Sequence, residues 1–261
     1  LVGITRARCI DRHREVTEEN GPTAANRAFR HLRACWNSAR GRYEEMPEHP
    51  VGRARGNKKF PWNKTRRRRE PVAWGDLPAY WAAVEALENP VRRDLRHVLL
   101  LTGLRSLDAR TIRWEHIDFD AGTLHRPTPK GGADRAFTVP LSAHVLQILA
   151  HRQMDNQRWF SSDAGWAFPT RDRSGSVTHV QEAKEQRYER REDGTYSKVG
   201  SLPSPHRLRD TFATACRESG VGMMETKALM NHRLPEEDVT EGYIRLSEEH
   251  LRGCQERVTA F

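Results

Sequence analysis

The sequence has few cysteines and no long hydrophobic run. Its 261 residues include four cysteines, which are widely separated and show no metal-ligand spacing. We therefore expect free thiols in a reducing cytoplasm. No apolar run of about 18 residues occurs, so we predict no membrane-spanning helix. The sequence begins at Leu1 without a signal-peptide pattern, which is typical of a piece of a longer or processed chain.

Acidic residues are fewer than basic residues in this chain. Lys and Arg total 44 against 35 Asp and Glu, which gives a formal net charge of +9 at pH 7. Such an excess favours a polyanionic partner, with nucleic acid as the first candidate and an anionic membrane as the second. A well-solvated basic protein without such a partner is the alternative.

Acidic residues are absent between Gly52 and Arg69, where nine basic residues occur. This run ends in four consecutive arginines, Arg66, Arg67, Arg68 and Arg69. Prolines and glycines interrupt residues 47–76, so we interpret this stretch as a basic inter-domain linker that contacts DNA. A disordered basic tether is the alternative.

Residues 1–46 are predicted to be helical. From Ala25 onward, apolar residues recur at the spacing of one helix face, and Thr23 is a candidate N-cap. The opposite face carries Arg27 and Arg30, which we predict to contact DNA phosphates. A charged face that is only solvated is the alternative.

The rest of the chain predicts a mainly α fold with a small antiparallel sheet. Asp76 and Asn89 mark helix boundaries, and Gly103 ends a further helix. Short helices are also expected over 106–114, 142–153 and 248–258. Two strands, over 123–126 and 136–139, should form a hairpin with Lys130 near its bend. Residues 155–200 are weakly patterned and predict an insertion with one polar helix.

Residues suited to phosphoryl transfer lie together between Pro203 and Arg245. This stretch contains His206, Arg209, His232 and Tyr243. Transfer of a phosphodiester requires a nucleophile, donors for the non-bridging oxygens and an acid for the leaving oxygen. Planar, permanently charged guanidinium groups suit the charge of the transition state, which makes Arg105 and Arg209 candidate donors.

Several of these residues stand in motifs of one known family. The segment from Leu101 to Asp108 (LTGLRSLD) resembles the first catalytic box of the tyrosine recombinases, the phage-integrase family. His206-Arg207-Leu208-Arg209 resembles the His-x-x-Arg box of the family, and Asn231-His232 resembles its Gly-His pair. Tyr243 stands at the position of the family's nucleophile, and Lys130 matches the family's lysine. Asn231 replaces the usual glycine, and the spacing from His232 to Tyr243 is slightly longer than the commonest one.

The resemblance implies a role for each residue. Tyr243 would attack the scissile phosphate and form a 3′-phosphotyrosyl bond, which frees a 5′-hydroxyl. Arg105, Arg209 and His232 would bind the phosphate oxygens. His206 would act as a base, and Lys130 would protonate the departing 5′ oxygen. Asp108 would brace the helix that follows Arg105. No metal ion, ATP or other cofactor is implied.

The resemblance also implies an architecture and a function. A partial helical core-binding domain (1–46) would be joined through the linker (47–76) to a mixed α+β catalytic domain (77–261). The chain would be a site-specific recombinase or integrase of a phage or mobile element. It would act as a homotetramer on double-stranded DNA attachment sites through a Holliday junction. Accessory DNA-bending or directionality factors would be further partners, and no membrane partner is implied. We expect it in the cytoplasm, associated with the nucleoid when bound to DNA.

Two other functions would use the same residues or fold. A type IB topoisomerase-like nicking and closing enzyme uses a similar set of groups but works as a single copy. A DNA-binding protein could keep the fold without the chemistry. Dependence of the product on two DNA sites separates the first from a recombinase, and covalent capture of DNA separates the second.

Overall fold

The chain is divided into two compact units, Leu1–Arg68 and Arg69–Phe261. The computed structural model describes residues 3–43, 45–51, 60–65, 70–130, 132–160, 163–183, 185–190, 196–232 and 246–261. Within these ranges, no helix is both long enough and apolar enough to cross a membrane.

Two helices form the first unit, α1 (Arg6–Asn20) and α2 (Pro22–Arg42). The Thr5 hydroxyl caps α1 by accepting the N–H of Arg8 at 3.3 Å. Gly21, at φ 87°, joins the helices. The prediction of Thr23 as N-cap is wrong by two positions, because Pro22 already occupies the first turn and its fixed φ suits that position.

Part of the predicted linker belongs to the first unit. Val51 and Phe60 are buried with Cys9 and Phe29 in its core. The backbone N–H of Asn63 donates to the buried Asn26 side chain at 3.1 Å. Phe60 and Asn63 therefore belong to the packed part of the first unit, since an aromatic side chain at position 60 gains more by burial than by exposure.

The second unit is built around one central helix. Its helices are α3 (Leu77–Glu85), α4 (Pro90–Thr102), α5 (Ser106–Arg110), α6 (Ala143–Trp159), α7 (Pro205–Glu218), α8 (Met223–Leu229) and α9 (Glu248–Ala260). Helix α4 is the most buried of them and packs against α3, α5, α6, α7 and α9. It begins at Asn89, whose side chain accepts the N–H of Arg92 at 3.1 Å, and ends at Gly103 in the left-handed region. Both helix boundaries were predicted.

A three-stranded antiparallel sheet covers one side of this core. Its strands β1 (Ile117–Asp118), β2 (Thr123–Arg126) and β3 (Phe137–Pro140) lie in chain order. Leu124 pairs with Val139, and both side chains are buried. The predicted hairpin is confirmed, with its second strand one residue later than expected.

The insertion between α6 and α7 contains two pairs of strands where the structure describes it. Helix α6 continues to Trp159. Strand β4 (Pro169–Arg171) then pairs with β5 (Val177–His179), and β6 (Gln186–Arg190) pairs with β7 (Tyr196–Ser201). The predicted polar helix does not occur in residues 163–183, 185–190 or 196–201. Residues that favour strands, such as Val177, Thr178 and Tyr196, outweigh the charged composition.

The terminal helix α9 is docked against its own chain. The buried Gln255 donates to the carbonyl of Leu101, near the end of α4. Glu256 accepts the N–H of Ala143 at 2.7 Å at the start of α6. These contacts hold α9 close to the segment that leads into Arg105.

Candidate active site

Arg209 connects two loops of the second unit. It lies on α7, beside the fully buried Leu208, and is itself only 6% exposed. Its two terminal nitrogens donate hydrogen bonds to the carbonyls of Gly103 and Met230. The loop after α4 and the loop after α8 are therefore held on either side of one guanidinium group.

Arg105 lies where these two loops meet. It occupies the N-cap position of α5, and about a third of its side chain is exposed. Its Nη2 donates to the carbonyl of Asn231 at 3.4 Å. Its Nη1 lies 3.9 Å from Oδ2 of Asp108. One guanidinium group is buried and one is half-open, which leaves a positive surface that an anion can reach.

Asp108 is the buried carboxylate of the site. It is 1% exposed and interacts with the charges of Arg126, Arg105 and Arg209. The backbone N–H of Lys130 also faces this carboxylate and favours its charged form. Burial raises the pKa of Asp108, and the three arginines and the Lys130 N–H oppose this rise without cancelling it.

Lys130 and the two histidines are exposed on the elements around these groups. Lys130 lies in the turn between β2 and β3. His206 is exposed in the first turn of α7, three residues before Arg209. His232 is exposed, and its backbone N–H donates to the carbonyl of Lys227 at 2.8 Å.

Positive charge dominates the site. Burial, together with the nearby Arg105, lowers the pKa of Arg209 to about 10, although Asp108 and Asp210 act in the opposite direction. Repulsion between two guanidinium groups is relieved when an anion binds between them. The N-terminus of α7 adds a partial positive charge on the side of His206. This arrangement suits a phosphate group.

The backbone conformation at position 231 explains why asparagine can stand where the motif usually has glycine. Asn231 has φ 45°, in the left-handed region. Glycine adopts this region without strain, and asparagine is one of the few other residues that tolerate it. This position therefore requires a residue that tolerates positive φ, and asparagine does so, as the usual glycine does.

Substitution of Asn231 should follow this conformational rule. Asn231→Gly should leave the free energy of unfolding nearly unchanged. Asn231→Val should lower it by about 1–2 kcal/mol, because a β-branched residue is strained at positive φ. Urea unfolding of both variants checks this. Equal stability of the valine and glycine variants would contradict the assignment.

Not every predicted site residue lies in the described part of the chain. The structure brings Arg105 and Arg209 together at the loop after α8, and Arg105 lies beside Asp108. Tyr243, like Arg66, Arg67, Arg68 and Arg69, lies outside the described residues. Arg27 and Arg30 are exposed on α2 of the first unit. The described residues contain no group of three or more His, Cys, Asp or Glu side chains placed to hold a metal ion.

Sequence reasoning missed one buried residue of this site, Arg126. It is 3% exposed at the end of β2 and shares the inward register of Leu124. A charged residue in the buried register of a strand was the available signal, because such residues are seldom buried without a partner.

The chain belongs to the phage integrase family, which comprises the tyrosine recombinases. The model of that family matches residues 82–250, more than half of the chain. The expected family is therefore confirmed.

Curated relatives agree with this membership. The chain is 29% identical over 155 residues to prophage integrase IntZ of Escherichia coli K12, covering 57% of this chain and 34% of that protein. It is 23% identical over 244 residues to prophage integrase IntF of the same organism, covering 92% and 49%. Tyrosine recombinase XerA of Pyrococcus furiosus is 29% identical over 178 residues, covering 67% and 57%. The match thus spans between about a third and three fifths of these relatives' length.

Solved structures confirm the fold. The Tn1549 transposon integrase in complex with transposon right end DNA has a TM-score of 0.62 at 14% identity, covering 99% of this chain and 87% of that one. A lambda integrase from a tetramer bound to a Holliday junction has a TM-score of 0.61 at 14% identity, covering 95% and 68%. The expected fold, mainly α with small antiparallel sheets, is confirmed.

Proposed function

We propose that this chain cuts and rejoins double-stranded DNA as a site-specific recombinase of a phage or mobile element, through a covalent bond between Tyr243 and a 3′-phosphate. The observation that carries this proposal is the convergence of Arg105 and Arg209 on the loop after α8, with the buried Asp108 3.9 Å from Arg105. These groups come from segments far apart in the sequence, and together they form an anion site between the loop after α4 and the loop after α8.

Each side chain has one role in the proposed reaction. The Tyr243 phenol oxygen forms a bond to phosphorus while the bond from phosphorus to the 5′ oxygen breaks. His206 accepts the phenol proton, and Lys130 supplies a proton to the departing 5′ oxygen. Arg105, Arg209 and His232 stabilise the charge on the non-bridging oxygens. Attack of a free 5′-hydroxyl on the phosphotyrosine reverses these steps and reseals a strand.

Arg209 supports this role through its fixed position. Its hydrogen bonds to the carbonyls of Gly103 and Met230 orient the guanidinium group before any ligand binds. A donor that is already oriented does not have to reorganise as charge develops in the transition state. All cationic roles are filled by side chains, so cleavage should continue in the presence of a chelator.

The partner we infer is a pair of DNA attachment sites held by four copies of the chain. The likeness to a lambda integrase tetramer bound to a Holliday junction supports a similar assembly. Arg27, Arg30 and the run from Arg66 to Arg69 would contact the DNA backbone, and accessory DNA-bending or directionality factors would act with them. Such a protein would work in the cytoplasm, on nucleoid DNA.

Loss of the Tyr243 hydroxyl should abolish covalent capture of DNA. Candidate attachment sites from DNA flanking the coding locus are first identified by footprinting. A suicide substrate nicked near the crossover then traps the adduct, because the short cleaved fragment diffuses away. We expect adduct with the native chain, in a chelator, and none with Tyr243→Phe, which should bind the same DNA with unchanged affinity.

Tyr43→Phe is the matched control, because Tyr43 is a tyrosine with 61% of its surface exposed in the first unit. It should form adduct at the native rate. Adduct with Tyr243→Phe would refute the proposed nucleophile, and absence of adduct with the native chain would refute the enzymatic function. Relaxation of a plasmid that carries one site, without exchange between two sites, would identify a nicking and closing enzyme instead.

A further inference from the structure

Residues 70–72, which we call the strap, are held on α7 by two hydrogen bonds. The Nε of Arg207 donates to the carbonyl of Glu70 at 2.6 Å. The backbone N–H of Val72 donates to the Thr211 hydroxyl at 2.8 Å. The Val72 side chain is buried in the main core of the second unit, where it is 6% exposed. Two side chains of one helix therefore fix three consecutive residues of the chain.

The residues that hold the strap lie on a different face of α7 from the candidate catalytic residues. Arg207 and Thr211 are four residues apart, and His206 and Arg209 are three residues apart. Either spacing brings two side chains to a shared helix face. Arg207 thus fills one of the unspecified positions of the His-x-x-Arg motif, and the proposed reaction gives it no role.

The Thr211 hydroxyl bonds both to its own helix and to the strap. It donates to the carbonyl of Arg207 at 2.8 Å and accepts the N–H of Val72. A hydroxyl has one proton to donate and lone pairs that accept, so both bonds form together. Thr211 is only 1% exposed. Loss of its hydroxyl therefore leaves the Val72 N–H buried without a partner.

The strap has little freedom to stretch, because its middle residue is Pro71. Proline fixes its own φ and restricts the residue before it, here Glu70, to an extended conformation. Two residues after the strap, the ring of Trp74 meets the ring of Phe261 edge to face, with centroids 5.3 Å apart. The chain is therefore fixed by α7 and by the end of α9 before α3 begins.

We propose that Arg207 and Thr211 are positioning residues for DNA cleavage: they fix the point at which the chain enters the second unit beside α7. DNA bound by the chain before Glu70 is thereby presented in one register to the helix that carries the candidate catalytic residues. This inference rests on the proposed function, in which the chain before Glu70 contacts DNA.

Two other roles for Arg207 give different results. An arginine that binds a phosphate contributes about 0.9 to the slope of log affinity against log salt concentration. A positioning residue leaves that slope unchanged, since its guanidinium group donates to a carbonyl of its own chain. A residue that only stabilises the fold leaves the cleavage rate unchanged once the variant is folded.

The first test replaces Arg207 by alanine or by lysine. Single-turnover cleavage at saturating DNA should slow by roughly 10- to 100-fold in Arg207→Ala, because the phosphate is displaced from the reacting groups. DNA affinity and its salt dependence should stay native. Arg207→Lys should recover most of the rate, because its ammonium group can still donate to the Glu70 carbonyl. Arg217→Ala, which removes an exposed arginine from the same helix, should cleave at the native rate.

Thr211→Val and Thr214→Val form a matched pair. Thr214 lies on the same helix, and its hydroxyl donates to the carbonyl of Asp210 at 2.9 Å. In the part of the chain that the structure describes, this hydroxyl makes no bond to the strap. Thr211→Val should therefore slow cleavage as Arg207→Ala does, while Thr211→Ser and Thr214→Val should stay near the native rate. Rates are compared below the unfolding temperature of each variant, and Arg207→Ala carries the comparison if Thr211→Val does not fold.

A double-variant cycle tests whether the strap acts by fixing the path of the chain. Two glycines inserted between Arg69 and Glu70 leave the strap bonds in place but add slack before them. The insertion should slow cleavage, and Arg207→Ala should then add little, because both changes relax the same connection. Additive losses, a native rate for either change alone, or a salt slope lowered by about 0.9 in Arg207→Ala would each overturn the inference.

Two measurements without cleavage keep this inference distinct from the proposed function. Hydrogen exchange at the Val72 amide should be slow in the native chain and roughly 10- to 100-fold faster in Thr211→Val. Hydroxyl-radical footprints of DNA bound to the Tyr243→Phe chain should protect one set of positions, and this set should widen when Arg207→Ala is added. Fast exchange in the native chain, or an unchanged footprint, would overturn the inference even where the native chain cleaves DNA. Slow exchange and a widened footprint would support it even where no adduct forms.

Discussion

Replacement of Arg209 by alanine should slow DNA cleavage by roughly 10²- to 10³-fold, because it removes a fixed donor from the transition state. It should also lower the free energy of unfolding by roughly 2–5 kcal/mol, since the carbonyls of Gly103 and Met230 lose buried hydrogen bonds. Arg209→Lys should recover part of the stability but little of the rate, because one ammonium group cannot bridge both carbonyls and still hold a phosphate. Single-turnover cleavage and urea unfolding measure the two effects.

Arg217→Ala is the control for this substitution. Arg217 lies on the same helix, in its last turn, and is exposed. Its removal should change neither the cleavage rate nor the stability by a large factor. A native cleavage rate for Arg209→Ala, measured where the variant is folded, would remove Arg209 from the proposed site.

Replacement of Gly103 by alanine should destabilise the second unit by roughly 3 kcal/mol or more. Gly103 has φ 61°, and a β-carbon there would lie 2.3 Å from Cδ1 of Phe212. Phe212 is 1% exposed on α7, so its ring has little room to move. Any shift of Phe212 or of the loop also displaces Arg105, two residues later, and cleavage should fall with stability.

Gly220→Ala separates backbone strain from the clash. Gly220 has φ 73°, but a β-carbon there would have no neighbour within 4 Å. This variant should lose only about 1–2 kcal/mol, the usual cost of the left-handed region for a residue with a β-carbon. Equal losses for the two variants in urea unfolding would show that contact with Phe212 contributes nothing.

Local signals in the sequence placed most helices of the second unit correctly. Asn89-Pro90 and Gly103 bound α4 because capping and the left-handed region are properties of single residues. The β2–β3 hairpin followed from alternation around a turn. The insertion was harder to predict: charged residues suggested a polar helix, whereas backbone pairing between strands, which no single segment encodes, produced hairpins.

The candidate site was predictable only in part. Arg105, Arg209, Lys130 and the histidines were recognisable because their motifs have a fixed local spacing. The approach of the Lys130 backbone to Asp108 was not, since it brings a turn next to a helix of another segment. Arg126 was passed over, because a single arginine in a strand looks like a solvated charge until its neighbours are known.

The family, the helix boundaries set by individual residues and the identity of the candidate chemical groups are encoded locally. These features depend on local spacing and on the chemistry of each side chain. The docking of α9 beside Leu101, the left-handed backbone of Asn231, and the action of the charges of Arg126, Arg105 and Arg209 on one buried carboxylate became visible only in the folded chain. Those facts depend on packing between distant segments, where burial strengthens charge interactions that water would otherwise screen.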